Sequence, residues 1–137
     1  MAEIGKRAWQ LYRLVIALIA LACVVQFYLA GRGVFGIHGD AKLGDQASFD
    51  AHRGLGNAIA VATTIAFVLA LVIWDKRLVV ATLVLAVLAV AVQTVTTDAN
   101  SSWVAGLHAV SGLAILGISG SLAHRAWRHR GMAEQPA

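Results

Sequence analysis

LYRLVIALIALACVVQFYLA, residues 11–30, decides how this chain is read. It holds one charged residue, Arg13. A helix needs roughly 20 apolar residues to cross the hydrocarbon core of a bilayer, and this run supplies them. Three more stretches share its character, at about 55–74, 78–97 and 103–122. Val and Ile are common in all four, yet strands of a membrane barrel are shorter, about 9–11 residues, and alternate apolar with polar. A continuous apolar run in lipid satisfies its own backbone as a helix. The expected fold is all-α: a four-helix transmembrane bundle with antiparallel, up-down topology, forming one membrane domain over 1–137. An external loop is expected at 31–54, with a re-entrant turn around GVFGIH.

Composition agrees. Of the 137 residues 59% are hydrophobic and 13% charged, and the mean hydropathy is +0.74. Soluble domains are about 25% charged, so a water-soluble enzyme and a disordered chain are both excluded. One Cys permits no internal disulfide and no Cys-rich metal site. ALAC at 20–23 looks superficially like a lipoprotein cleavage site, but the apolar run continues past Cys23 to Ala30, too long for an ordinary signal peptide.

The net charge of +4 is a topological signal. Lys6, Arg7, Arg13, Lys76, Arg77, Arg125, Arg128 and Arg130 fall on one side of the membrane, against Arg32, Lys42 and Arg53 on the other. Basic residues collect on the cytoplasmic side. The expectation is a multi-pass plasma-membrane protein with both termini cytoplasmic. Its basic ends would meet anionic lipid headgroups, and no stripe or motif suggests nucleic acid. Asp75, Lys76 and Arg77 make a polar turn between spans two and three. Ser48 or Asp50 is expected to cap span two, and Asn100, Ser101 or Ser102 span four. Trp9, Trp74, Trp103 and Trp127 lie near span ends, as an aromatic belt requires.

Polar residues inside spans are costly, so their placement is informative. Gln26, Asn57, Gln93 and His108 all fall within roughly 3–8 Å of the external boundary by helical rise. Each span thus offers one hydrogen-bonding group to a single layer, with His52, Arg53, Thr94, Thr96, Thr97 and Ser111 around it and His38 above. The cytoplasmic half offers only Thr63, Thr64, Thr82, Ser119 and Cys23, too little for a proton or ion path. Such a layer locks helix register by hydrogen bonding, or it forms a polar external pocket.

His108 shares a face with Gly112, Ile115 and Ser119, and His52 stands above Gly56, Ile59 and Thr63. A bundle can hold haem b between two facing His ligands. Counting residues from the span ends puts His52 roughly 10 Å higher than His108, which opposes that reading. His38, His52 and His108 are also candidates for a transition-metal site, with Asp40 or Asp50 adding a carboxylate. Arg53 suits an anionic headgroup or a quinone-like carbonyl, but a pairing with Asp50 or Asp98 explains it more simply. GRGVFG lacks dinucleotide spacing, and GISGS lies deep in an apolar span. No second domain and no internal repeat stand out.

Phe27 to Gly31, Phe49 with His52 and Arg53, and His108 with Gly112 carry a resemblance. In these motifs the chain resembles a family of small bacterial four-helix integral membrane proteins catalogued as a domain of unknown function. The likeness runs from span one to span four and implies a fold and a location, but no activity. The His-Arg pair is also distantly similar to membrane haem-binding bundles, haem A synthase halves among them.

Two functions follow. One is a structural or accessory subunit, in a membrane complex or a homodimer, with a polar external pocket formed by Gln26, His52, Arg53, Asn57, Gln93 and His108. The other is a b-type haem or quinone-binding redox protein using His52 and His108. No catalytic signature marks the chain as an enzyme.

Overall fold

The computed structural model describes residues 2–39, 49–97 and 102–128. Helix α1 (Ala2–Gly39) leads to α2 (Asp50–Ile73). Next come α3 (Lys76–Val87), a π-helical turn (Leu88–Val92) and α4 (Gln93–Thr97), which continue one another as a third rod. Helix α5 (Ser102–Arg128) is the fourth rod. No strand occurs among the described residues. All four rods are long and apolar enough to cross a membrane. The all-helical four-rod fold is therefore as the apolar runs require.

The helices overrun the runs that announced them. Hydrogen bonding inside a helix does not stop where hydrophobicity stops, so α1 begins well before 11 and ends beyond 30. Residues 33–38, expected as a re-entrant turn, are helical. Much of the expected loop 31–54 is thus helix, and its middle, 40–48, lies outside the described residues.

Local chemistry accounts for the ends. Asp75 caps α3, accepting from the backbone N–H of Arg77 at 2.8 Å and of Leu78 at 3.2 Å. Trp74 closes α2 in the left-handed conformation, φ 61°, and its N–H returns to the Ala70 carbonyl. The connection between spans two and three is tight, as expected, but it runs over Trp74 and Asp75, and Lys76 and Arg77, expected in the turn, already open α3. The expected Asp50 cap is not formed: Phe49 holds the N-cap position of α2 without a side-chain bond, and Asp50 pairs with Arg53. Ser48, Asn100 and Ser101, and the side chain of Ser102, lie outside the described residues.

Each rod buries a narrow stripe at helical spacing. On α1 it is Tyr12, Ile16, Ile19 and Cys23; on α2, Ile59, Thr63, Ala66 and Ala70; on α3, Thr82 and Leu85; on α5, Ser111, Ile115, Ser119, Leu122 and Ala126. Many of these residues are small, which lets helix backbones approach where lipid gives no hydrophobic drive between helices. The buried hydroxyls return to their own helix: Thr63 donates to Ala60 O, Thr82 to Leu78 O, and Ser119 to Leu116 O. Large side chains such as Leu14, Leu18, Leu21, Val61, Val68 and Val80 point outward. No more than 22% of any apolar window is buried inside the chain. Apolar area that large is tolerated only against hydrocarbon, so this is an integral membrane protein of four spans.

The packing order places the site. Helix α1 packs on α2 and on α5, and the third rod packs on α2 and on α5. Helices α2 and α5 share no packed interface among the described residues and are the diagonal pair. Gln26 meets His52 at one end of the bundle and Arg13 meets Trp127 at the other. These contacts are compatible with the expected up-down order.

Asp75→Ala is expected to lower stability by about 1 kcal/mol through loss of the cap. Ala66→Leu, which forces volume into a fully buried stripe, should cost roughly 1–3 kcal/mol. Val61→Leu on the outer face should change nothing measurable. Unfolding of the detergent-solubilised chain ranks the three.

Candidate functional site

The polar layer forms, and it is built from two matching pairs. Gln26 on α1 donates its Nε2–H to the carbonyl of His52 at 2.8 Å. Gln93, the first residue of α4, donates its Nε2–H to the carbonyl of His108 at 3.2 Å and to Ser111 Oγ at 2.7 Å. Each glutamine follows a valine, Val25 or Val92, and each histidine stands four residues before a glycine, Gly56 or Gly112. That recurrence, V-Q then H-x-x-x-G, is an internal correspondence that reading along the chain did not reveal. The two halves of each motif lie on different helices, at unequal separations in sequence.

The glycines explain the reach of the amides. In a helix, residue i+4 covers the carbonyl of residue i. A Cβ on Gly56 would lie 3.1 Å from Gln26 Nε2, tight enough to push the amide away. On Gly112 it would lie 3.8 Å from Gln93 Nε2 and 3.7 Å from Phe27 Cζ, ordinary contact. The π turn at 88–92 immediately precedes Gln93. Such a turn inserts residues into the α-helical count and resets which side chains face the partner. Beyond it, Gln93 and Thr96 both meet His108.

The two imidazoles come together across the bundle. Their ring centroids are 6.0 Å apart, with planes 54° apart. The depth difference expected from counting residues is thereby overturned. The cause is the entry of α2. Phe49 packs onto Gly33, where a Cβ would lie 2.6 Å from its ring, and stands edge-on to His52. This contact seats the first turn of α2 against the upper part of α1, level with Gln26. An apolar boundary drawn at 55 therefore does not mark the same plane as one drawn at 103.

Hydrogen bonding assigns the ring nitrogens. His52 Nδ1 lies 3.3 Å from the Gln26 carbonyl, which only accepts, so the proton sits on Nδ1. Thr96 Oγ1 gives its own proton to the Val92 carbonyl at 2.7 Å and lies 3.4 Å from His108 Nδ1. Thr96 is thus the acceptor there and His108 the donor. Nδ1 of each ring thus faces a protein oxygen, the kind of contact by which second-shell oxygens orient metal-bound histidines.

The remaining candidates divide. Arg53 turns its Nη2 to Asp50 at the rim, and its side chain is 47% exposed. Asn57 is exposed on the outer face of α2 and does not join the layer, so its expected place there is corrected. A residue near a span end may face any direction, and depth alone did not fix azimuth. The side chain of His38 lies outside the described residues. No group of three metal-binding side chains occurs among the described residues. Thr96 and Ser111, noted only as neighbours of the layer, are buried in it. The Gln26 Oε1 atom is buried without a hydrogen-bond partner in the described chain, so the layer is not a closed network of mutual bonds.

No protein-family model, curated protein or solved structure matches this chain.

Replacing Gly by Ala inside a helix normally gains roughly 0.5–1 kcal/mol. Gly112→Ala should show that gain in thermal unfolding. Gly56→Ala should instead destabilise, because its methyl displaces the Gln26 amide from the His52 carbonyl. Equal behaviour of the two variants would contradict the clasp geometry.

Proposed function

We propose that this chain is a small integral-membrane haem b protein in which His52 and His108 would hold the haem. The apposition of the imidazoles carries the reading. Two imidazoles bound to one iron through metal–nitrogen bonds of about 2 Å have centroids roughly 6 Å apart. The 6.0 Å observed fits that spacing. A bare ion would need three or four protein ligands, whereas a porphyrin brings four nitrogens and asks two of the chain. A quinone is less well served, since Arg53, the group suited to its carbonyl, is turned to Asp50.

The chain's own contribution is positional. The Gln26 carbonyl and Thr96 Oγ1 each meet the Nδ1 of one ring, and the Gln26 and Gln93 amides hold the turns that carry the histidines. Haem bound there would supply one-electron chemistry. The resemblance to a family of unknown function is consistent with this and adds no activity of its own.

A second reading rests on the same glutamine bonds. Interhelical hydrogen bonds of this kind stabilise membrane bundles by about 0.6–2 kcal/mol each. They suffice for a structural or accessory subunit that binds no cofactor. The unpartnered Gln26 Oε1 favours an occupied layer over a purely structural one. The basic bias of 75–77 and of both terminal segments supports cytoplasmic termini and a histidine end on the outer side of the plasma membrane.

Chain purified from haem-replete cells should show a Soret band and about one iron per chain. His52→Ala and His108→Ala should each abolish the band while the protein still extracts in mild detergent. A colourless, iron-free preparation would overturn the haem reading, and a stable protein partner in it would establish the accessory one. Tags on both tails should be reached only from the cytoplasm.

A further inference from the structure

No internal repeat stands out along the sequence, but one stands out among the buried positions. The buried residues of α2 are Ile59, Thr63, Ala66 and Ala70. Each has a buried counterpart 56 positions on, in Ile115, Ser119, Leu122 and Ala126 of α5. His52 and Gly56 stand in the same relation to His108 and Gly112. The third rod answers α1 in the same way. Thr82, Leu85 and Ala89 are buried, and so are Ile16, Ile19 and Cys23, 66 positions before them. Gln26 and Gln93 are 67 positions apart, one more. The π turn at 88–92 lies where that extra residue falls. On a regular helix the stripe would step from Ala89 to Val92, as α1 steps from Cys23 to Gln26. The wider turn carries it to Gln93 instead.

The packing repeats with the positions. Helix α1 packs on α2, as the third rod packs on α5. Helix α1 also packs on α5, as the third rod packs on α2. Among the described residues α1 and the third rod share no packed interface, and neither do α2 and α5. Exchanging α1 with the third rod, and α2 with α5, leaves all these relations unchanged. A two-fold rotation about the long axis of the bundle performs that exchange. Residues close to a two-fold axis face their own equivalents. The two imidazoles do so, with centroids 6.0 Å apart.

We infer that the chain is an internal two-fold repeat of one helical hairpin, α1 with α2 and the third rod with α5, and that the histidine site lies on its axis and takes a single occupant with two like faces. Unequal connections hide the repeat from the sequence: Gln26 and His52 are 26 positions apart, Gln93 and His108 only 15. Below the histidines each copy offers the same succession, a glycine, an isoleucine and a small hydroxyl residue, in Gly56, Ile59 and Thr63 and in Gly112, Ile115 and Ser119. The axis itself does not require haem. Its consequence for the occupant rests on the haem reading: both sides of the haem would meet equivalent groups, and neither would stay open to a small gas ligand.

Positions related by the axis share one space between α2 and α5, so volume removed from one is restored by volume added to the other. Leu122→Ala and Ala66→Leu should each lower the Tm of the full chain in detergent. The double variant should melt above Leu122→Ala alone. Additive losses, with the double variant below both, would overturn the axis. Deletion of Val90, inside the π turn, gives the third rod the spacing of α1 and should keep the Tm within about 4 °C of the native chain. Deletion of Val68, on the outer face of α2, rotates part of its stripe by about 100° and should prevent folding. Equal behaviour of the two deletions would overturn the correspondence of α1 with the third rod. Carbon monoxide added to the reduced, haem-loaded chain should leave the Soret band in place, and a shifted band would overturn the like-faced occupant. A colourless chain whose double variant still recovers would support the axis and refute the haem reading alone.

Discussion

Two glutamine amides reach across helix interfaces to the carbonyls of two histidines, and the arrangement at that end of the bundle depends on them. Inside a bilayer there is no hydrophobic force between helices, so register comes from close packing and from hydrogen bonds such as these. Gln26 ties α1 to α2 at the turn that carries His52. Gln93 ties α4 to α5 at the turn that carries His108. Each bond uses a carbonyl already engaged in its own helix, so it adds a contact without opening the ladder. Gly56 leaves the space that Gln26 needs. The histidine rings are then held across the diagonal by helices that share no packed interface among the described residues.

The rest of the bundle is compatible with that demand because its interior is small and its exterior large. Ala66, Ala70, Thr63, Thr82 and Ser119 sit on buried stripes, while leucines and valines cover the outside. A soluble bundle would invert this distribution. The hydroxyls of Thr63, Thr82 and Ser119 bond back to their own backbones, while Ser119 also meets Cys23 of α1 and Ser111 accepts from Gln93 of α4. Specific polar contact between helices is therefore concentrated toward the histidine end. The opposite end relies on a cation over an aromatic ring, with Arg13 against Trp127. The two ends thus differ in chemistry as well as in charge.

Much of this was legible in the sequence because it depends on local information. Twenty apolar residues in a row are a local fact, and in lipid they have one backbone solution. The faces His108–Gly112–Ile115–Ser119 and Gly56–Ile59–Thr63 follow from helical spacing, and Ile59, Thr63, Ile115 and Ser119 are indeed buried. Legibility failed where the answer required a common reference plane. Asn57 has the right depth and faces outward. His52 reads as too high because hydropathy marks the top of α2 below the level at which the Phe49–Gly33 contact sets it. Arg13 reads as one more basic residue of the cytoplasmic side, yet Trp127 packs over it and it is buried.

The sequence by itself determined the number of spans, their helical character and the gathering of polar side chains toward one end, since each is a property of a single continuous run. Tertiary structure alone decided which of those side chains meet. The π turn before Gln93 resets the azimuth of the third rod, and the packing of Phe49 sets the height of α2. The diagonal placement of α2 and α5 then turns two histidines 56 positions apart into one site with a 6.0 Å separation. None of these is encoded in a local pattern, because rotation and offset of a rigid helix depend on what it packs against.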